Sequence, residues 1–533
     1  FLGGSGYNMS EAPILKDPTR SSGREALQKN IQAAMALAAA IRSTLGPKGL
    51  DKLLIDDEGR TLVTNDGVTV LETAKVEHPV AKMMINASST QDRIAKDGTT
   101  STVILAGEML QNAWQLILQG IHPSTVARGY RKSEQYILQC ISEIIFESNE
   151  NIKYSVVKTA LAGKGHSSMQ DTIARVSLDA VQMVAEQDST VDVSKIKLIS
   201  QTGGKVEDSK AFRGLMIPKK RISSNMMKAV NDGKIVLIDG GLEKSNVATD
   251  LKLNVTTVGV LESFRQEEQN MLKRQVDKLV KHNVTVLACR ESIDDDIKNY
   301  LAENGIQAFR RVARSDLNML ARICSTNLIN SIDGLTTNDL GSFTSSKNTT
   351  IDGKDFWIVK GDGNAATIIA KASTADFVNE VERCFDDSIG VSVQLVEDGF
   401  VVCGGGASYV ALARRLRRYA ETIPGREQLA VEAYADAIEV IVRVLAENAG
   451  IDPITTLLDV VAKQTNLESD YIGINLSTGE PSDMVELGVL EPQGIVKQAI
   501  IGATEVAISV LRIDDVLWAK QEMQMPDMPE DEM

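Results

Sequence analysis

Asp97-Gly98-Thr99-Thr100-Ser101-Thr102 puts a carboxylate, a glycine and a run of hydroxyls where a long apolar-periodic segment begins. A helix start offers free N–H groups and the positive end of the helix dipole, and both favour phosphate. In that chemistry Gly98 lets backbone approach closely and Thr99, Thr100 and Ser101 add donors. Asp97 supplies the oxygen that a phosphate-bound Mg2+ takes. The same residues also spell an ordinary helix start, with Asp as N-cap and Thr in the first turn. No G-x-x-x-x-G-K-[ST] pattern occurs, which excludes a P-loop. Leu45-Gly46-Pro47-Lys48-Gly49 is a helix-stop loop whose glycines can lie against a nucleotide or simply punctuate the chain. Asn65-Asp66-Gly67 reads as an Asx-Gly turn. Gly404-Gly405-Gly406 exposes backbone for a flat ligand, and a flexible connector explains it equally well. Asp386-Asp387 lies in a helical stretch, where a carboxylate would orient water at a phosphate or, more simply, face solvent.

Other chemistries find little support. The four histidines (His78, His122, His166, His282) share no metal-ligand spacing. They read as plain buried or surface imidazoles. The five cysteines form no C-x-x-C pair, as expected of reduced thiols in the cytoplasm. A net charge of −15 and 4% aromatics argue against a nucleic-acid protein. No apolar run is expected to reach the roughly 18 residues of a membrane span. Phe1 to Asn8 carries no charged n-region and reads as an artificial leader before a start at Met9.

The elements that position these residues come in two styles. Helical periodicity marks 24–45, 78–91, a segment from Gly98 to about 120, and 123–148, with a hairpin from Leu53–Ile55 to Thr61–Val63. From Gly214 to Val312, strand-like runs (Ile235–Ile238, Val284–Ala288, Ala308–Val312) alternate with helical ones at 265–282 and 293–303, an α/β pattern. Long helical segments return at 375–396, 408–422, 426–449, 453–465 and 494–511. The tail 521–533 is rich in Met, Pro and acids, and is expected to be disordered. If the two helical flanks pack together, their domain is discontinuous.

Taken in order, Leu45–Gly49, Asn65–Gly67, Asp97–Ser101, Asp387, Gly404–Ala407 and Asp483–Glu491 resemble a group II chaperonin subunit, of the archaeal thermosome and eukaryotic cytosolic type. Glu77-His78-Pro79, Leu161–Lys164, Gly425–Ala430, Leu445–Gly450, Glu486–Pro492 and Arg512–Val516 extend the match from about Asp17 to Val516. The resemblance implies a multidomain α+β and α/β protein. Residues 9–150 and 404–533 would form a mostly helical equatorial domain for ATP and ring contacts. Residues 151–217 and 370–403 would form a small intermediate hinge, and 218–369 an α/β apical domain for clients. A helical lid protrusion would span about 243–268, with Val258, Val260, Leu261 and Phe264 near its tip.

The same resemblance implies the site residues. Asp387 and Asp66 would be catalytic, and Asp97 would hold Mg2+. Leu45, Gly46, Pro47, Gly98, Thr99, Thr100, Ser101, Lys164, Gly405, Gly406, Asn475 and Glu491 would bind the nucleotide, Glu491 at its ribose. ATP hydrolysis would close the lid over unfolded protein clients in a double ring of copies or homologous subunits. No nucleic acid and no membrane would be involved. Four positions depart from the family pattern: Lys96 for Gly, Lys371-Ala372-Ser373 for Arg-Gly-Gly, Asp386 for His, and Val496 for Lys, with Lys497 one place on. At Lys96 the side chain would either reach solvent over a glycine-like backbone or lend a cation to the phosphates, and a positive φ would strain the loop. Two rivals remain: a nucleotide-deficient structural subunit of a hetero-oligomeric ring, and a metabolic ATP-dependent enzyme with an α/β insert.

Overall fold

Helices dominate where apolar residues recur at helical spacing, and sheets where they alternate or run together. In the computed structural model, residues 19–55, 59, 61–74, 76–243, 258–351 and 353–518 are described. The chain divides into two compact units, Phe1–Glu147 with Phe400–Met533, and Ser148–Gly399. The protein is thus mixed helix and sheet, with several separate sheets.

The first unit is built around the helix Thr99–Leu118, which packs on Gly23–Arg42, Pro79–Ala95, Glu427–Ile438 and Gln493–Leu511. Its Val103, Ile104, Leu105, Ala106, Met109 and Leu110 are buried in one large core with Ile31, Ile41, Tyr434 and Ile500. Gly107 allows the close crossing with the first helix, since a Cβ there would lie 2.6 Å from that of Ala38. Short sheets sit at the edge of this bundle. The hairpin Lys52–Ile55 with Thr61–Thr64 forms as expected from the sequence. The expected single helix at 426–449 breaks for one residue at Glu439, whose carboxylate Arg417 grips with both terminal nitrogens at 2.6 and 2.7 Å.

One expectation needs correction. The helix Gln493–Leu511 is long and apolar enough to cross a membrane, with a mean hydropathy of 1.5. Its Ile495, Val496, Ala499, Ile500, Ala503 and Ala507 are instead buried in the unit's core, the position of a helix that is apolar all round.

The second unit holds two main sheets. In the larger, Ala229–Ile238 pairs in parallel with Val284–Cys289, and Gln307–Phe309 follows in parallel. The antiparallel hairpin Gly341–Ile351 and Lys354–Lys360 lies on the other side, and Leu215–Ile217 closes it. Sequence reading found the apolar strands of this sheet but not the long hairpin, whose SFTSSKNTT stretch is small and polar. Burial explains it: Ser346 Oγ accepts from Trp357 Nε1 at 2.9 Å and donates to Gln307 Oε1 at 2.7 Å, and Trp357 stacks on Phe309. The smaller sheet places Ala366–Ala372 between Ile196–Thr202 and Lys210–Arg213, under the helices Ser167–Val184 and Ala375–Glu397. The helix Val258–Lys281 lies along the larger sheet. The side chains of Val258, Val260, Leu261 and Phe264 lie outside the described residues, as do 1–18, 244–257 and the tail 519–533.

Candidate nucleotide site

The helix Thr99–Leu118 starts on Gly98, which is left-handed at φ +78°. The cap is therefore glycine and not Asp97, which overturns the reading of Asp97 as an ordinary N-cap. The carboxylate of Asp97 instead accepts the Gly98 N–H at 2.7 Å. Gln91 fixes this turn from behind, its Nε2 donating to the carbonyls of Asp97 at 2.8 Å and Ile495 at 3.3 Å. A Cβ on Gly98 would lie 2.8 Å from Ile495 and 2.9 Å from Gln91, so the turn needs glycine for space as well as for φ. Behind the cap Thr99 is buried, while Thr100 and Ser101 are half-buried.

Lys96 ends the preceding helix in the left-handed region, φ +56° and ψ 8°, its N–H bonded to the Asp92 carbonyl. Its ammonium turns back toward Asp92, 3.9 Å from Oδ2. The backbone thus follows the path that glycine adopts freely, at a cost of about 1 kcal/mol for a residue with a Cβ.

Two further loops meet this helix start, one at Gly67 and one at Gly404–Gly406 with Glu491 beside it. Gly67 packs against Thr100, and Asp66 caps the helix Gly67–Thr73, accepting from Thr69 N at 3.0 Å and Thr69 Oγ1 at 2.5 Å. Asp66 therefore carries a structural load that the catalytic expectation did not foresee. Gly404, Gly405 and Gly406 line a cradle that side chains would fill. A Cβ would lie 3.1 Å from Glu491 Oε1 at Gly404 and 2.6 Å from Met484 Sδ at Gly405, and at Gly406 would meet Val442. Glu491 lies on the strand Leu490–Pro492, and burial first and the Asp97 charge second push its carboxyl up to about 8. The same two carboxylates, after burial, raise the Tyr409 hydroxyl. Asp97, Glu491 and Gly404 are thus neighbours although far apart in sequence. Asn475 opens a turn beside Gly405: its Oδ1 accepts from Ser477 N at 3.0 Å, and Ile474 N donates to the Gly405 carbonyl at 3.1 Å. The Leu45–Gly49 loop, with Gly46 at φ +81°, lies against Leu445.

In the second unit, Lys164 Nζ forms an ion pair with Asp387 Oδ2, and both side chains are half-buried. Asp386 beside it is exposed. One turn earlier, burial pushes the Cys384 thiol up to about 12. Among the remaining departures, 371–373 run as strand and bend without positive φ, so the missing glycines leave no strain there. Val496 is 1% exposed in the core and Lys497 points to solvent, so Lys497 does not stand in for the family lysine.

Sequence reading missed Gln91, which with Ser88 is a polar residue on the buried face of the helix Pro79–Ala95. A cavity of about 710 Å³ lined by Gly23, Arg24, His122 and Arg512 lies in the same unit but touches none of these loops. Two histidines are helix caps: Nδ1 of His78 accepts from Val80 N and Nδ1 of His122 from Ser124 N. Among the described residues no three His, Cys, Asp or Glu side chains cluster as a metal group.

The site thus joins a helix start capped by glycine, the Asp97 carboxylate beside it, and the glycines Gly404–Gly406 next to Glu491. The family model for the TCP-1/cpn60 chaperonin family matches residues 37–521. A thermosome subunit of Methanopyrus kandleri is 42% identical, covering 94% of this chain and 93% of its own length. One of Pyrococcus horikoshii is 41% identical, covering 95% and 94%. A thermosome subunit beta of Thermoplasma acidophilum is 41% identical, covering 95% of each chain. The chain belongs to the TCP-1/cpn60 chaperonin family, in its group II branch.

Proposed function

We propose that this chaperonin is an ATPase subunit that folds protein clients inside a ring. The observation that carries the reading is the meeting of Gly67, the glycines Gly404–Gly406 and Glu491 at the glycine-capped helix start Asp97–Ser101, with Leu45–Gly49 tied to the cradle through Leu445 and Val442 of one helix. The backbone N–H groups after Gly98, with the hydroxyls of Thr100 and Ser101, would bind phosphate oxygens, and Asp97 would hold Mg2+. The glycine cradle and Glu491 would receive the nucleoside, with Asn475 at its edge. Bound Mg2+ supplies charge neutralisation at the phosphates. Asp387 would orient and activate the attacking water, and Lys164 pairs with that carboxylate. Both belong to the second unit, while Asp97 and the glycine loops belong to the first.

Residues 151–217 with 370–403 would be the hinge around the smaller sheet, and 218–369 the client-binding part around the larger one, with the lid near 243–268. Exposed Met227, Met271 and Val280 on that part suit non-native clients. Ring partners, copies or homologues, would cover the apolar hairpin side chains Leu53 and Ile55, 62% and 65% exposed. All five thiols are free and buried, which suits a reducing cytoplasm.

The test is Asp97→Ala. Mg-dependent ATP turnover should vanish while the thermal midpoint stays within about 2 °C, because Asp97 lies outside the core. Turnover equal to the parent's would refute the assignment. Two observations favour a second reading, a nucleotide-deficient ring member: Lys96 strains the loop, and the family lysine is a buried Val496. ATP turnover by the purified parent separates the two.

A further inference from the structure

The Leu45–Gly49 loop is held by a residue to which the proposed nucleotide chemistry gives no part. Asn448 ends the helix Val440–Asn448. Its Nδ2 donates to the Arg42 carbonyl at 3.1 Å and to the Leu45 carbonyl at 2.9 Å. These carbonyls bracket the turn by which the chain leaves the helix Gly23–Arg42 and enters the loop. A primary amide nitrogen carries two hydrogens and so serves two carbonyls at once. Because both partners are acceptors, the bonds themselves assign the nitrogen to this side of the amide.

Asn448 does not act alone. Val442, Leu445 and Asn448 are spaced three apart and share one face of their helix. Val442 backs Gly406, Leu445 backs Gly46, and Asn448 holds Leu45. A single rigid stripe therefore sets both the Leu45–Gly49 loop and the glycine cradle. Charges reinforce it. Arg42 Nε binds Glu447 at 2.8 Å, and Arg443 binds Glu108 at 2.9 Å, with Arg42 3.9 Å from the same carboxylate. Glu108 lies on the helix whose first turn is the phosphate loop.

We propose that Asn448 is a positioning residue, which sets the Leu45–Gly49 loop in register with the glycine cradle and thereby sets the affinity for nucleotide. This rests on reading the loop as part of the nucleotide site. The experiment compares Asn448→Asp with the parent in the full chain. The aspartate keeps the size, removes both donors and faces two carbonyls with oxygens. The KM for ATP should rise about tenfold or more, while kcat stays within about threefold, the pattern of lost ground-state binding. Without nucleotide, backbone amides of 43–50 should exchange hydrogen about tenfold faster, while those of the helix 453–467 keep their rates. Asn448→Ala, which removes the donors without adding charge, gives the same exchange readout if the aspartate variant does not fold. Unchanged exchange at 43–50, or an unchanged KM with a fallen kcat, overturns the proposal. A parent that binds no ATP overturns the nucleotide reading and the functional half of the proposal with it, while faster exchange in the variant still supports Asn448 as the anchor of the loop.

Discussion

Lys96 shows how one side chain separates strain from chemistry. Its backbone sits at φ +56°, where a Cβ is crowded and glycine is at ease. Lys96→Gly should raise stability by about 0.5–1 kcal/mol, because the relief of strain outweighs the entropy that glycine adds to the unfolded chain. Equilibrium denaturation checks this, and a loss of stability contradicts it. ATP turnover should change by no more than a few-fold, since the ammonium faces Asp92. Glu491 gives the residue scale a pH signature. Burial, then Asp97, lift its carboxyl from 4.5 to about 8 in the folded chain. Between those values the folded state holds a proton that the unfolded state has lost, so this contribution to stability falls as pH rises. Thermal midpoints measured from pH 5 to 9 should decline more steeply in the parent than in Glu491→Gln, which cannot ionise. Parallel curves would show that the carboxyl is not buried as described.

At the scale of elements, the helix Val440–Asn448 organises the site more than any loop does. It presents Val442 to Gly406, whose φ of +76° already excludes most side chains. Gly406→Ala should therefore cost roughly 2–3 kcal/mol, strain and overpacking together. The same change should weaken ATP binding, because relief comes only by moving the cradle or the helix. Replacing Val442 by alanine in that background should restore part of both losses, and denaturation with ATP titration measures them. No restoration would mean that the two side chains do not meet. Gln493–Leu511 makes the complementary point: by composition it could enter a membrane, but in the fold its apolar faces are covered by other helices.

On the scale of the whole molecule, apolar side chains left at the surface carry the expectation of assembly. Ile454 and Leu458, one turn apart on the helix Pro453–Leu467, are 66% and 62% exposed. With the hairpin residues Leu53 and Ile55 they are the side chains that neighbouring subunits would cover. Native mass measurement of the purified protein should find a particle many times the mass of one chain. A stable monomer would contradict the ring. Leu53→Asp and Ile55→Asp combined should shift the population toward smaller species, with the folded unit itself unaffected.

Sequence alone determined the long helices around Thr99 and Arg42, the hairpin and the strands Ile235–Ile238 and Val284–Ala288, because their apolar periodicity follows from which faces must be buried. It also marked Asp97, the glycines and Asp387 as residues fit for phosphate chemistry, because residue type and order along the chain carry that information. Tertiary structure decided the rest. Whether Asp97 caps a helix or stands at its mouth depends on the φ of Gly98. That Glu491 meets Asp97 across almost 400 residues depends on how the flanks pack. The polar hairpin at 341–360 exists because Trp357 and Gln307 satisfy Ser346 inside a sheet. The role of Asn448 could not be read from the chain, since hydrogen bonds to carbonyls roughly 400 residues away leave no periodic trace in it. Periodicity records local burial, whereas long-range partners are chosen only when the folded chain brings them together.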